Sequence, residues 1–303
     1  MGNISTVHDT FVRGLLADKQ LAVDYFRSAL PEHIADKLDF STMEQLSETY
    51  VSAELEKTFS DVVHRCRRKD CAETVDISLL LEHKSSPDKY TPVQVGGYLF
   101  SGYQQQIKQG HEQLSPIIPV LLYHGRQKWE YWTLDRLFDE LDQDLLGFIP
   151  KFDYVYHNLR DLSEATIRAV SNQFLVSALL VLKYAFDKQR LKVKLPEILS
   201  LGLAKGSEGQ QAGLVIYGFE LVDYTDKQIK EIFKGLPAEI KDTVMSTYDL
   251  LIEKGIERGR QEERAKIHAE KLEIAREMIK DGFSIQQIVK FTKLSIEEVE
   301  EKL

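Results

Sequence analysis

The chain has 303 residues, is 43% hydrophobic and 29% charged, and carries a formal net charge of −9, a composition typical of a globular protein rather than a fibrous or disordered one. The acidic balance excludes a surface coated with lysine for indiscriminate nucleic-acid binding, but it leaves room for an enzyme that meets DNA locally. No run approaches the roughly 18 apolar residues that span a bilayer, and the opening MGNISTVHDTFVRG lacks the zones of a signal peptide. Cys66 and Cys71 have no second pair with which to complete a zinc site. A soluble cytoplasmic protein with free thiols, of about two domains by length, is expected.

Phe11, Leu15, Leu16, Leu21, Val23, Phe26 and Leu30 recur at near-helical spacing, which predicts one helix over 8–30, stopped by Pro31. A second helix is expected over 44–58. From Phe59 the period becomes that of a strand, 67–70 is a polar turn, and 73–83 reads as the returning strand. Beyond Pro87-Asp88 a helix is expected over 91–113, then a short buried strand from Pro116 ended by Gly125, and another strand over 152–159. Ser163 reads as the N-cap of a long apolar helix reaching about residue 186.

This order predicts an α/β domain over 1–190, a mixed central sheet flanked by helices. A helical connector region follows over 191–252, in which 191–206 reads as a linker before helices near 211–222, 226–234 and 237–254. The remainder, 253–303, reads as a charged helix to Lys280 and two short helices opened by Ser284 and Ser295, the outline of a helix-turn-helix. That tail holds 11 Lys/Arg against 12 Asp/Glu, too balanced for strong phosphate attraction. Self-association through the charged helix is therefore favoured over DNA contact there.

The chemistry is concentrated in Asp61 and in Glu82-His83-Lys84. Alternate side chains of a strand share a face, so Glu82 and Lys84 point one way and His83 the other. A turn centred near Cys71 makes paired residue numbers add to about 142 and sets Asp61 opposite the Leu80–Glu82 region. Two carboxylates are hard oxygen donors suited to Mg²⁺, with the backbone carbonyl of His83 as a further ligand. Such an ion activates a phosphodiester as a Lewis acid, and Lys84 orients the attacking water and offsets developing charge. On spacing alone, E-x-K equally describes a solvated strand end with a weak ion pair.

Several blocks surround these residues: HDTFVRGLL (8–16), LDFSTMEQL (38–46), FSDVVHR (59–65), LLLEHKSSPDKYTP (79–92) and PIIPVLLYHGRQKW (116–129), with Gly255-Ile-Glu-Arg-Gly259 and FTKLSIEEVEEKL (291–303) in the tail. In this order and over nearly the whole chain they resemble the Rpn family, the YhgA-like transposases or recombination-promoting nucleases of the PD-(D/E)XK superfamily. The resemblance implies a restriction-endonuclease-like core and Mg²⁺-dependent (or Mn²⁺-dependent) DNA cleavage serving recombination or mobile elements. Asp61, Glu82 and Lys84 take the catalytic positions. Lys84 keeps the lysine form of a motif in which many relatives carry glutamine, and Ser60 replaces the superfamily's proline.

Gln94 and Tyr98, four residues apart on the next helix, resemble a substrate-contacting pair of related exonucleases; close helix packing through Gly96 and Gly97 explains the same pattern. Asp9 matches the family's His-Asp pair and is a candidate further metal ligand, although a helix-start acid accounts for it as well. Trp129 and Trp132 read as packing residues, and Tyr123-His124-Gly125 as a turn. The alternative to an enzyme is a catalytically inactive DNA-binding or self-assembling module of the same fold.

Overall fold

The first predicted helix is in fact two. The computed structural model describes residues 4–46, 62–69, 74–82, 87–138 and 140–302. In it α1 (Ile4–Ala17) and α2 (Lys19–Ala29) meet at Asp18, which caps α2 through a 2.9 Å bond from the Leu21 N–H to its carboxylate. Apolar spacing does not register a one-residue break at a position where a polar residue was due anyway. After the single turn α3 (Glu32–Ala35), the chain enters strand β1 (Leu38–Gln45), where the sequence reading had placed helix from residue 44. The rest of that expected helix lies outside the described residues. Leu38, Phe40 and Met43 are buried, and the register jumps between Asp39↔Arg67 and Glu44↔Arg65. The bulge breaks the period of two, which is why alternation was not visible in the sequence.

The predicted hairpin strands are present as β2 (Val62–Arg68) and β3 (Thr74–Glu82). Helix α4 (Thr91–Lys108) crosses from β3 to β4 (Ile117–Tyr123), and β5 (Val155–Asn158) closes a sheet of order β1-β2-β3-β4-β5. The first three strands are antiparallel and the last three parallel. On one face Val63, Ile117, Leu121 and Tyr123 pack with Val95, Tyr98 and Leu99 of α4 and with Trp129, which is a core residue as expected. On the other face α2 covers the sheet: Phe26 meets the His64 ring at 5.4 Å, and the Tyr25 hydroxyl lies 3.1 Å from Nδ1 of His157. The fold is α/β with helices on both faces.

After the turn α5 (Gln143–Leu146), the predicted long helix from Ser163 is again divided. Ser163 caps α6 (Glu164–Arg168), and Asn172 caps a new helix α7 (Gln173–Tyr184), which is buried along almost its whole length. Residues 191–206, expected as a linker, lie mostly in helix α8 (Lys188–Gly202). Pro196 sits inside it, yet Leu191, Leu195, Ile198 and Leu199 keep a helical period and are buried against α7. Then follow α9 (Glu208–Glu220) and α10 (Asp226–Gly235). Helix α9 is tied to α1 by a 2.6 Å bond between Nδ1 of His8 and the Tyr217 hydroxyl, and by Phe11 stacked on Tyr217 at 4.0 Å.

The chain forms two compact units, Met1–Met245 and Ser246–Leu303. Helix α11 (Ala238–Lys280) merges two helices that the sequence had separated near residue 253, and most of it belongs to the second unit. Gly282, at φ +82°, supplies the turn that ends it. The short helices α12 (Ile285–Thr292) and α13 (Ile296–Lys302) begin at Ser284 and Ser295 as expected; the Gln287 and Glu298 N–H groups donate to the serine hydroxyls. Ile288, Leu294 and Val299 close a small core on Ala275. Among the described residues no helix is long and apolar enough to cross a membrane.

Candidate active site at the end of the sheet

Glu82 is the last residue of β3. It pairs with Tyr123, the last residue of β4, which pairs with Asn158, the last of β5. The three positions form one row across the carboxyl ends of three parallel strands, the end at which open α/β sheets bind ligands. Asp61, His83 and Lys84 lie outside the described residues.

Every β2–β3 pair adds to 141, from Val62↔Leu79 to Arg67↔Thr74, one less than a turn centred on Cys71 gives. The difference matters because a one-residue slip exchanges the faces of a strand. In the observed register, odd positions of β2 share a side with even positions of β3. Val63 and Tyr123 identify that side as the one beneath α4.

His124, one residue past β4, is buried at 1% exposure, with Nδ1 3.2 Å from the Leu182 carbonyl oxygen. Its ring meets the His8 ring edge-on at 4.9 Å. The turn of α1 that carries half-buried Asp9 thus stands at the end of β4 to which Glu82 is paired. Gly125 follows because a Cβ there would lie 2.5 Å from the Tyr123 ring, whose hydroxyl donates to the Gln127 carbonyl at 2.7 Å. Tyr-His-Gly is therefore a latch joining α1, β4 and α7. Nothing in local sequence announced the contacts of His124, because Leu182 and His8 are distant in the chain.

Tyr98 is 1% exposed and belongs to the core between α4 and the sheet, whereas Gln94 is half-buried and donates from Nε2 to Oδ2 of Asp88 at 3.3 Å. Gly96 packs on Phe152, 3.0 Å from where a Cβ would stand, while Gly97 faces open space. Asp88, which sequence reasoning treated as a chain breaker, also accepts from the Tyr90 N–H and so holds the start of α4. Among the described residues no three His, Cys, Asp or Glu side chains converge as a metal site.

Burial holds the His64 and His157 imidazoles down to about 4, so both are neutral at physiological pH. Among the described carboxylates Glu164 is shifted furthest. Hydrogen bonds from Lys194 (2.8 Å) and from the Tyr184 hydroxyl lower its pKa from 4.5 to about 2. A depressed carboxylate contributes stability that is complete above its unfolded pKa and lost as pH falls through its folded one. Acid denaturation between about pH 4.5 and 2 is therefore expected to be less steep in Glu164→Gln than in the wild type. Identical acid-unfolding profiles, monitored by circular dichroism, would refute that coupling.

A family profile described as "Putative transposase, YhgA-like" matches residues 6–213, and the chain belongs to this family. A second profile, the C-terminal helix-turn-helix domain of the Rpn/YhgA-like nuclease family, matches residues 268–301 and so includes α12. The chain is 24% identical to the recombination-promoting nuclease RpnA of Escherichia coli strain K12, over 97% of this chain and 96% of the relative. It is 22% identical to the inactive recombination-promoting nuclease-like protein RpnE of the same strain, over 96% and 95%. No solved structure matches the chain.

Proposed function

We propose that this protein is a Mg²⁺-dependent DNA endonuclease with a restriction-endonuclease-like PD-(D/E)XK core, acting in recombination or mobile-element movement. The β2–β3 register supports this reading most directly. In it odd positions of β2 share a side with even positions of β3; by number, 61 has the parity of the first series and 82 that of the second. The mixed sheet and the position of Glu82 at its carboxyl end agree with it.

The donor chemistry fits a hard divalent cation: carboxylates from Asp61 and Glu82, the His83 carbonyl, and a further carboxylate from Asp9 on the turn of α1 at this end of the sheet. When bound, the ion supplies Lewis acidity to the phosphodiester. Lys84 holds the attacking water and faces the negative charge that builds on the phosphate. Gln94 approaches the substrate backbone, while Tyr98 anchors α4 so that Gln94 keeps its place. The test is incubation of the purified chain with plasmid in Mg²⁺ or chelator, beside Asp61→Ala and Lys84→Ala. Metal-dependent nicking or linearisation lost in both variants is expected, and cleavage that persists equally in both would sink the assignment.

The helix-turn-helix in the second unit favours DNA as partner. RpnE's name supports a second reading, an inactive module of the same fold; the intact Glu82-x-Lys84 pattern opposes it. Exposed Ile252, Ile256, Ile267 and Ile274 form one seam along α11, at a spacing suited to pairing with a second copy. Ile256→Lys with Ile267→Lys is then expected to lower the mass found by sedimentation from dimer to monomer. Unchanged mass would remove that proposal.

A further inference from the structure

The row that ends in Glu82 continues sideways into a basic region outside the catalytic set. Asn158 stands two strands from Glu82, about 10 Å at roughly 4.8 Å per strand, or near three base-pair rises of duplex DNA. Just beyond it, Arg160 is fixed before any ligand arrives. Its Nε donates to the Arg126 carbonyl at 3.2 Å and its Nη1 to Asp161 at 2.6 Å. Asn158 in turn donates to Asp161 and accepts from the Arg160 N–H. Beneath this turn Lys183 donates to the carbonyls of Leu159, Arg160 and Leu162 at 2.9, 2.8 and 2.6 Å. Arg126, three residues past Tyr123, is exposed.

Charge at this corner runs against that of the molecule. Among the described residues linked here by hydrogen bonds, ion pairs or charge, Arg126, Arg160, Arg168, Lys183, Arg190 and Lys194 stand against Asp161, Glu164, Asp187 and Glu197, an excess of two positive charges on a chain of net charge −9. An oriented guanidinium loses little entropy on gripping a phosphate, and Arg190 is itself seated on the Tyr184 ring at 4.9 Å.

We propose that Arg126 and Arg160 form a phosphate-binding subsite that grips the DNA backbone a few nucleotides from the cleaved bond. The subsite rests on the nuclease reading for its substrate, and it acts through affinity rather than chemistry. It gives an acidic protein a local purchase on DNA and sets which phosphate reaches Glu82.

The test uses the full chain and a fluorescent DNA duplex in chelator, with affinity followed by anisotropy across a range of salt. The Arg126→Ala/Arg160→Gln double variant is expected to bind more weakly and to lower the log–log salt slope by about 1.8, from about 0.9 per phosphate contact. Lys37→Ala, at the opposite edge of the sheet beside β1, is expected to leave the slope unchanged. The helix-turn-helix contributes equally to every protein compared. An unchanged slope in a double variant that melts at the wild-type temperature, or an equal fall in Lys37→Ala, would overturn the subsite. If the double variant melts early, Arg126→Ala alone decides, with an expected fall of about 0.9. A chain that never cleaves in Mg²⁺ yet shows the slope change keeps the subsite and loses the catalytic reading. Asp61-dependent cleavage without a slope change loses the subsite alone.

Discussion

Glu82→Ala is expected to slow DNA cleavage by roughly a thousandfold and to weaken divalent-ion binding, while leaving the protein folded. The fold should survive because Glu82 ends β3, and the pairing of β3 with β4 is carried by backbone groups from Asp76 to Leu81 as well. Lys84→Ala is expected to cost about 100- to 1000-fold in rate with ion binding retained, since an ammonium that stabilises developing charge is no metal ligand. Single-turnover rates, with Mn²⁺ titration by calorimetry on the same proteins, separate the two roles. Wild-type rates in folded Glu82→Ala would remove the carboxylate from the mechanism, and equal loss of ion binding in both variants would remove the division of labour.

Gly202→Ala is expected to cause the largest loss of stability outside the site. An added Cβ would stand 1.9 Å from the Gln173 carbonyl oxygen and 2.7 Å from Oγ of Ser177. Both belong to α7, a helix buried along almost its whole length, and Ser177 already donates to the Ile198 carbonyl at 2.7 Å. A backbone carbonyl in the first turn of a packed helix has no rotamer by which to withdraw, so α7 and α8 must separate. Overpacking of this kind costs about 3 kcal/mol, or a fall in Tm of roughly 6–12 °C for a unit of this size. Gly209→Ala, in a helix with open space around the new methyl, serves as control and is expected to be neutral or slightly stabilising. Equal melting temperatures for the two variants would show that α8 yields at no cost.

How far the sequence could be read follows from the range of each signal. Strands β2 and β3 and helix α4 were legible because local alternation, a polar turn and Pro87-Asp88 mark them without outside help. The breaks at Asp18 and Asn172 were not, since one capping residue interrupts neither apolar run. Strand β1 was hidden by its bulge, and α8 was read as a linker although its leucines keep a helical period around Pro196. At the candidate site, residue chemistry selected Asp61, Glu82 and Lys84, but the hairpin register came out one residue off because the turn position had to be assumed. Periodicity also paired Tyr98 with Gln94 on one face without distinguishing a side chain buried in the core from a half-buried one that bonds Asp88. The contacts of His124 with His8 and Leu182 were beyond reach, because these residues meet only in the folded chain.

The most direct test of the proposed chemistry is the single-turnover cleavage rate of a labelled duplex by wild-type protein and Asp61→Ala, each in excess over DNA and in saturating Mg²⁺. Cleavage by the wild type, slowed at least about 100-fold in Asp61→Ala with DNA affinity retained, is the expected result. Equal rates in the two proteins, with folding and DNA binding matched, would contradict an active site built on Asp61, Glu82 and Lys84.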